Sequence, residues 1–278
     1  MSLDKEIEKK TDFDDVVSGV IDNALNIEGK YDRIYVDINS VVSIMFRADN
    51  VNSKKIVEST YASFERLLTK YSKTNTEIVV LFTTARSKYH TDIYPDWCKS
   101  RYDRVNLSKS EGMKDLIFSL KKFSEQNKLI RVINTKEFHP AAIVKFLEDG
   151  LKTRFIIISK DMVFYAMDMN HGSQFTGVTY IDYDDDVAVM SDRHKDIEVS
   201  RRMLKYYYAL CGDSRNEFSG VSGYGPNKSI KYIKEYKLEL EAGLEHPQKE
   251  VIEKYCKLYD VSNMLITADK EKLNKILG

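Results

Sequence analysis

The chain has 278 residues and 43 basic against 43 acidic side chains, so it is long enough for one large domain or two coupled ones and carries no global basic field. With 42% hydrophobic and 31% charged residues it has the composition of a globular protein with a sizeable core, and any nucleic-acid binding must come from local patches. Three scattered cysteines, Cys98, Cys211 and Cys256, exclude a disulfide scaffold and a metal-spaced pair; no apolar run nears the roughly 18 residues of a membrane span, and the charged N-terminus lacks an apolar signal core, so a soluble cytoplasmic protein is expected.

In chain order, a polar N-terminal segment leads into a helix expected at residues 13–25. Short runs rich in Ile, Val, Leu, Phe or Tyr follow at 33–38, 77–82, 128–133 and 154–159, with a fifth at 177–182. Helical patterns at 54–71, 111–126 and 140–148 separate them, the last bracketed by Pro140 and Gly150 as start and stop signals. Alternating strand and helix predicts an α/β fold with a mainly parallel sheet flanked by helices. The acidic group Asp182, Asp184, Asp185 and Asp186 reads as a solvated loop and lacks the spacing of a calcium site. From about residue 191 the pattern turns helical, giving two expected units, 1–190 and 191–278.

Two segments stand outside this regular pattern. Residues 83–110 show little periodicity and interleave Arg86, Lys88, Lys99, Arg101 and Arg104 with Tyr89, Tyr94, Trp97 and Tyr102. Aromatic faces stack on bases while cations follow phosphates, which suits a single-strand path; a surface loop with its aromatics packed on the body has the same composition. The second segment, residues 211–229, places Gly220, Gly223 and Gly225 before Pro226 and follows with Lys228, Lys231 and Lys234. Glycines allow close backbone approach, and a helix opening at Pro226 presents unpaired N–H groups to a phosphate. An ordinary helical hairpin with a glycine turn also fits.

Ligands of an open parallel sheet bind beyond the carboxyl ends of its strands. Those ends carry Asp37, Thr83, Glu137 and Asp161, and Asp213 joins from the hairpin. Converging carboxylates suit a magnesium site. With these residues in view, the chain resembles the flap-endonuclease and bacteriophage 5′–3′ exonuclease family, a PIN-like nuclease fold with a helix-three-turn-helix region. The resemblance runs over roughly 31–266. It rests on Asp37 after the first strand, on Pro95-Asp96-Trp97 with Arg101 in the arch, on Ile158-Ser159-Lys160-Asp161, and on Gly212-Asp213 followed by Gly220-Val221-Ser222-Gly223-Tyr224-Gly225-Pro226.

The resemblance implies a nuclease that cleaves phosphodiesters near 5′ ends of branched or duplex DNA. Such an enzyme uses two divalent ions about 4 Å apart that stabilise the attacking and leaving oxygens. It also implies a glycine hairpin, often with bound potassium, that holds the duplex. By the same resemblance Asp37, Glu137, Asp161 and Asp213 are metal ligands, and Lys99 and Arg101 clamp the scissile phosphate. Arg86, Tyr94 and Trp97 line the single strand, with Trp97 or Tyr94 stacking on the terminal base. Gly220, Gly223, Gly225, Lys228 and Lys231 hold the duplex.

This chain departs from the family pattern where the chemistry lies. Thr83, His139-Pro140, Val163 and Asn216 stand where acids are expected, and Cys98 where an arch lysine is expected. The donor set therefore has room for one magnesium or manganese ion at most; His139 is a candidate ligand for a transition metal or an ordinary hydrogen-bonding histidine, and Arg215 a candidate neutraliser of the surviving acids. Two functions compete on this reading. One is a pseudonuclease that binds nucleic acid and hydrolyses it slowly or not at all, in a replication, repair, recombination or transcription assembly of a bacterial cell or phage-infected host. The other is an active structure-specific 5′ nuclease with a reduced metal site.

Overall fold

A computed structural model describes residues 31–39, 53–99, 107–149, 151, 153–159, 161–166, 178–181, 199, 203–214, 216–268 and 270–277. Five strands lie where apolar runs occur in the sequence: β1 (Arg33–Asp37), β2 (Glu77–Phe82), β3 (Ile130–Asn134), β4 (Phe155–Ile158) and β5 (Val178–Ile181). Their spatial order is β3-β2-β1-β4-β5, and every adjacent pair is parallel. The registers set Asp37 beside Leu81 and Val36 beside Ile158. This is the α/β fold with a parallel sheet that the alternating pattern predicts.

Strand order explains the layering. From β1 the chain steps outward to β2 and β3 through α1 (Ser53–Tyr71) and α3 (Leu107–Gln126), with α2 (Lys88–Ile93) between them. It then returns through α4 (Pro140–Glu148) to β4 on the opposite side of β1. Right-handed crossovers running in opposite directions place their helices on opposite faces. Side chains alternate accordingly. Ile34, Val36, Ile78, Val80, Ile156 and Ile158 pack under α1 and α3 with Phe64, Leu67, Leu116 and Leu120. Tyr35, Val79, Leu81, Phe155 and Ile157 face the other way, onto α4 and α5 (Met162–Ala166). Both faces are covered, which is why the strands read as unbroken apolar runs.

That second face continues into the helical part of the chain: α6 (Leu204–Cys211), α7 (Pro226–Glu235), α8 (Lys237–Ala242), α9 (Lys249–Cys256), α10 (Val261–Thr267) and α11 (Lys270–Leu277). Tyr208, Leu210, Phe218, Ile252, Leu258, Tyr259 and Leu273 belong to the same buried cluster as Tyr35 and Ile157. Among the described residues no helix is long and apolar enough to cross a membrane.

Several boundaries differ from expectation. The segment taken as irregular from residue 83 contains α2, and its end is already helical from Leu107. In the part expected to be helical from about residue 191, the first described helix is Leu204–Cys211. The expected helix at 13–25 and the acidic loop around Asp184 lie outside the described residues.

Candidate nucleic-acid and metal site

In a sheet of this order the crevice opens where connections leave in opposite directions, between β1 and β4. Asp37 ends β1 there, and Ser159 and Asp161 follow β4 directly. Ser159 is buried and joins the two acids: its hydroxyl donates to Asp37 Oδ2 at 2.8 Å and accepts the Asp161 N–H at 3.0 Å.

Asp161 is held by donors of the protein itself. Its Oδ1 accepts the Val163 N–H at 3.0 Å and an amide N–H of Asn216 at 3.4 Å; its Oδ2 lies 3.2 Å from His139 Nε2. The N-cap role of His139 settles its tautomer. Nδ1 accepts the Ala141 N–H at 3.2 Å, so the ring proton sits on Nε2 and points at Asp161.

The helical hairpin brings the third acid. Asp213 is 5% exposed and forms a short bridge with Phe218 through both backbone groups. Its Oδ2 accepts from the Asn216 amide at 2.8 Å, with the Tyr259 hydroxyl 3.5 Å away. Burial first, and the nearby Asp213 charge second, raise the Tyr259 pKa well above its ordinary value, which keeps the phenol protonated as a donor.

Beneath the acids lies His90, missed by sequence reasoning because no local spacing marks it. Leu258 O accepts from its Nε2 at 2.8 Å, so Nδ1 faces the Ser87 hydroxyl, also at 2.8 Å, as an acceptor. The ring stacks on Trp97 and tilts against His139. Burial chiefly, then the His139 ring, lower its pKa to about 3, so it is a neutral imidazole.

The expected ligand set is thus only partly assembled. Asp37, Asp161 and Asp213 are linked through Ser159 and Asn216. Glu137 is not: it pairs with Lys272 on α11 at 2.8 Å. Thr83 binds the Ala85 and Lys136 carbonyls and exchanges hydrogen bonds with Asn39, tying the loops after β1, β2 and β3 together. Val163 is buried and apolar. Among the described residues no three His, Cys, Asp or Glu side chains converge as a metal-holding group.

The arch residues also need correction. Trp97 is 2% exposed and packs between His90, Phe218 and Tyr259, with no face for a base. Tyr94 meets Phe218 and Tyr255 edge-on. Arg86 donates to the Pro95 carbonyl at 2.8 Å, and Lys99 pairs with Asp96 on the surface. A mixed aromatic and cationic composition fits a strand path and a packed loop equally, and here packing against Phe218 of the hairpin takes Tyr94 and Trp97. Arg101 and Arg215 lie outside the described residues.

Glycines of the hairpin act in two ways. Gly212 and Gly220 have positive φ, and their backbones touch: a Cβ on Gly220 would stand 2.4 Å from both Gly212 N and Leu210 O. That contact is structural. Gly223 also has positive φ, whereas a Cβ on Gly225 would meet nothing within 4 Å. Gly225 gives the first turn of α7 no side-chain cap, and Pro226 has no N–H. The Lys228 ammonium lies 4.3 Å over the Tyr224 ring beside this turn, and Lys231 is exposed one turn on. An open cleft of about 480 Å3, reaching Pro226 at the start of α7, is lined by Tyr207, Tyr208, Asp213, Glu217 and Phe218 and by no cation among the described residues.

A doubly wound parallel sheet with carboxylates at its switch point, backed by a helix–glycine loop–helix unit, is the fold of flap endonucleases and 5′–3′ exonucleases. Solved structures that it matches include those of the bacteriophage T5 5′-exonuclease. A zinc-bound form superposes with a TM-score of 0.63 at 14% identity, over 87% of this chain and 96% of that one. A form co-crystallised with metal ions gives 0.63 at 16% identity, over 88% and 96%. A pseudo-enzyme–product complex of the T5 flap endonuclease with DNA and metal ions gives 0.60 at 16%, over 88% and 97%. No protein-family model and no curated protein matches the chain.

Proposed function

We propose that this protein binds branched or duplex DNA bearing a 5′ single strand and hydrolyses it weakly or not at all. The observation that carries this is the donor shell of Asp161. Three of the roughly four lone-pair positions of its carboxylate face the Val163 N–H, the Asn216 amide and His139 Nε2. A carboxylate so occupied is a poor partner for an ion that must also hold water and substrate. The donor set supports one magnesium or manganese ion at most, near Asp37 and Asp161. Losing a single positioned stabiliser commonly costs on the order of 10²–10³ in rate.

DNA contact is assigned to the start of α7, with Gly223, Gly225, Lys228 and Lys231 facing the duplex backbone and potassium a candidate ligand of the same loop. The three T5 structures, one of them with DNA, support this reading through the shared fold. Proteins of replication, repair or transcription are the partners it would serve.

The test is incubation with a labelled 5′-flap duplex and magnesium or manganese, with Asp161→Ala beside it. Binding without cleavage is expected. Metal-dependent cleavage that disappears in Asp161→Ala would overturn the reading in favour of an active nuclease.

A further inference from the structure

Two acids that are each nearly buried, Asp161 and Asp213, come from different parts of the chain and meet across one residue. Like charges in such a place repel, and burial withholds the water that would otherwise screen them. Something must compensate. The side chain between them is Asn216, 1% exposed, whose amide nitrogen is 2.8 Å from Asp213 Oδ2 and 3.4 Å from Asp161 Oδ1.

An asparagine amide has a donating end and an accepting end, so it serves two carboxylates only if it is held the right way round. Cys98 holds it. The thiol is 3.0 Å from Asn216 Oδ1, where it donates, and the Cys98 N–H donates to the Asn216 carbonyl at 2.9 Å. Cys98 makes both contacts from a positive φ of 55°, a conformation that a side-chain-bearing residue enters at a steric cost. The strand-β2 loop, the loop after β4 and the hairpin are thereby fastened at one point.

We propose that the Asn216 amide, oriented by Cys98, stands in for a divalent cation between Asp161 and Asp213 and seats the hairpin on the sheet without metal. The two N–H groups supply the positive ends that an ion would supply, without its charge or its need for water. Replacing Asn216 by an acid recreates three carboxylates at one point and makes the seat depend on a cation. Resting on the proposed reading of this site, the latch nevertheless has its own readouts.

The experiment compares the full chain with Asn216→Asp by melting temperature in EDTA and in manganese, and by counting bound manganese with electron paramagnetic resonance. In EDTA the variant melts roughly 5–10 °C below the parent, from lost charge-assisted hydrogen bonds and added repulsion. Manganese recovers most of that loss and shifts the parent by about 1 °C or less. Asn216→Asp binds one manganese more than the parent. Equal manganese shifts, equal counts, or an Asn216→Asp protein as stable as the parent in EDTA would each overturn the latch. If that variant does not fold, Asn216→Ala decides: it melts lower in EDTA, and rescue by manganese would sink the proposal, because two aspartates would then suffice to gather the ion. A parent that cleaves DNA but shows the predicted melting keeps the latch and loses the proposed function.

Discussion

The hairpin and the carboxylate site lie side by side and are built on different forces. The hairpin's close approach is governed by steric demand: Gly212 and Gly220 need positive φ, and their backbones leave no room for a methyl group. The carboxylate site is governed by electrostatics supplied from separate segments, with Ser159, Asn216, His139 and Tyr259 as neutral partners of acids and Cys98 holding the Asn216 amide. A steric demand admits almost no substitute. An electrostatic demand can be met by a cation, an amide, a hydroxyl or an imidazole.

The sharpest way to break this contrast is Gly220→Ala. With the new methyl 2.4 Å from two backbone atoms, unfolding free energy should fall by about 3 kcal/mol or more, read by denaturant titration. A loss below about 1 kcal/mol would show that the loop relaxes, and the hairpin would lose its steric definition. Next comes Asn216→Ala, which leaves the buried Asp213 and the part-buried Asp161 without their shared donor and should cost about 2–3 kcal/mol in the same measurement.

A smaller effect follows from His90. Its folded pKa of about 3 lies below the ordinary 6.5, so between those values the unfolded chain binds a proton that the folded one refuses. The stabilisation is complete above pH 6.5 and is lost as pH falls toward 3. Melting temperature should therefore drop between pH 7 and pH 4, less steeply in His90→Gln; equal slopes would deny His90 that part. Lys228→Ala with Lys231→Ala should leave stability unchanged and reduce the salt slope of DNA binding by about one to two phosphate contacts. An unaltered slope would remove α7 from the duplex interface. The smallest effect is expected at Gly225→Ala, within about 0.5 kcal/mol in stability, since the new methyl meets nothing.

Legibility in the sequence followed the same division. Strand runs, crossover helices and the glycine loop could be read because each is a local rule: period, punctuation or φ. Trp97 could not, since interleaved aromatics and cations look alike whether rings meet bases or Phe218 and Tyr259. Glu137 stands just beyond β3, where a ligand would, yet Lys272, 135 residues later, takes its carboxylate. In the sequence Asn216 is a missing acid; what it does instead depends on Cys98, 118 residues away.

The sequence by itself determined a parallel α/β sheet, the acids at its strand ends and a glycine hairpin opening a lysine-bearing helix. These are properties of neighbours along the chain. Tertiary structure alone decided that Ser159 joins Asp37 to Asp161, that an amide lies between Asp161 and Asp213, and that His90 sits neutral beneath them. Hydrogen bonds to a buried carboxylate depend on distances of about 3 Å between residues far apart in the chain, and no spacing rule encodes those.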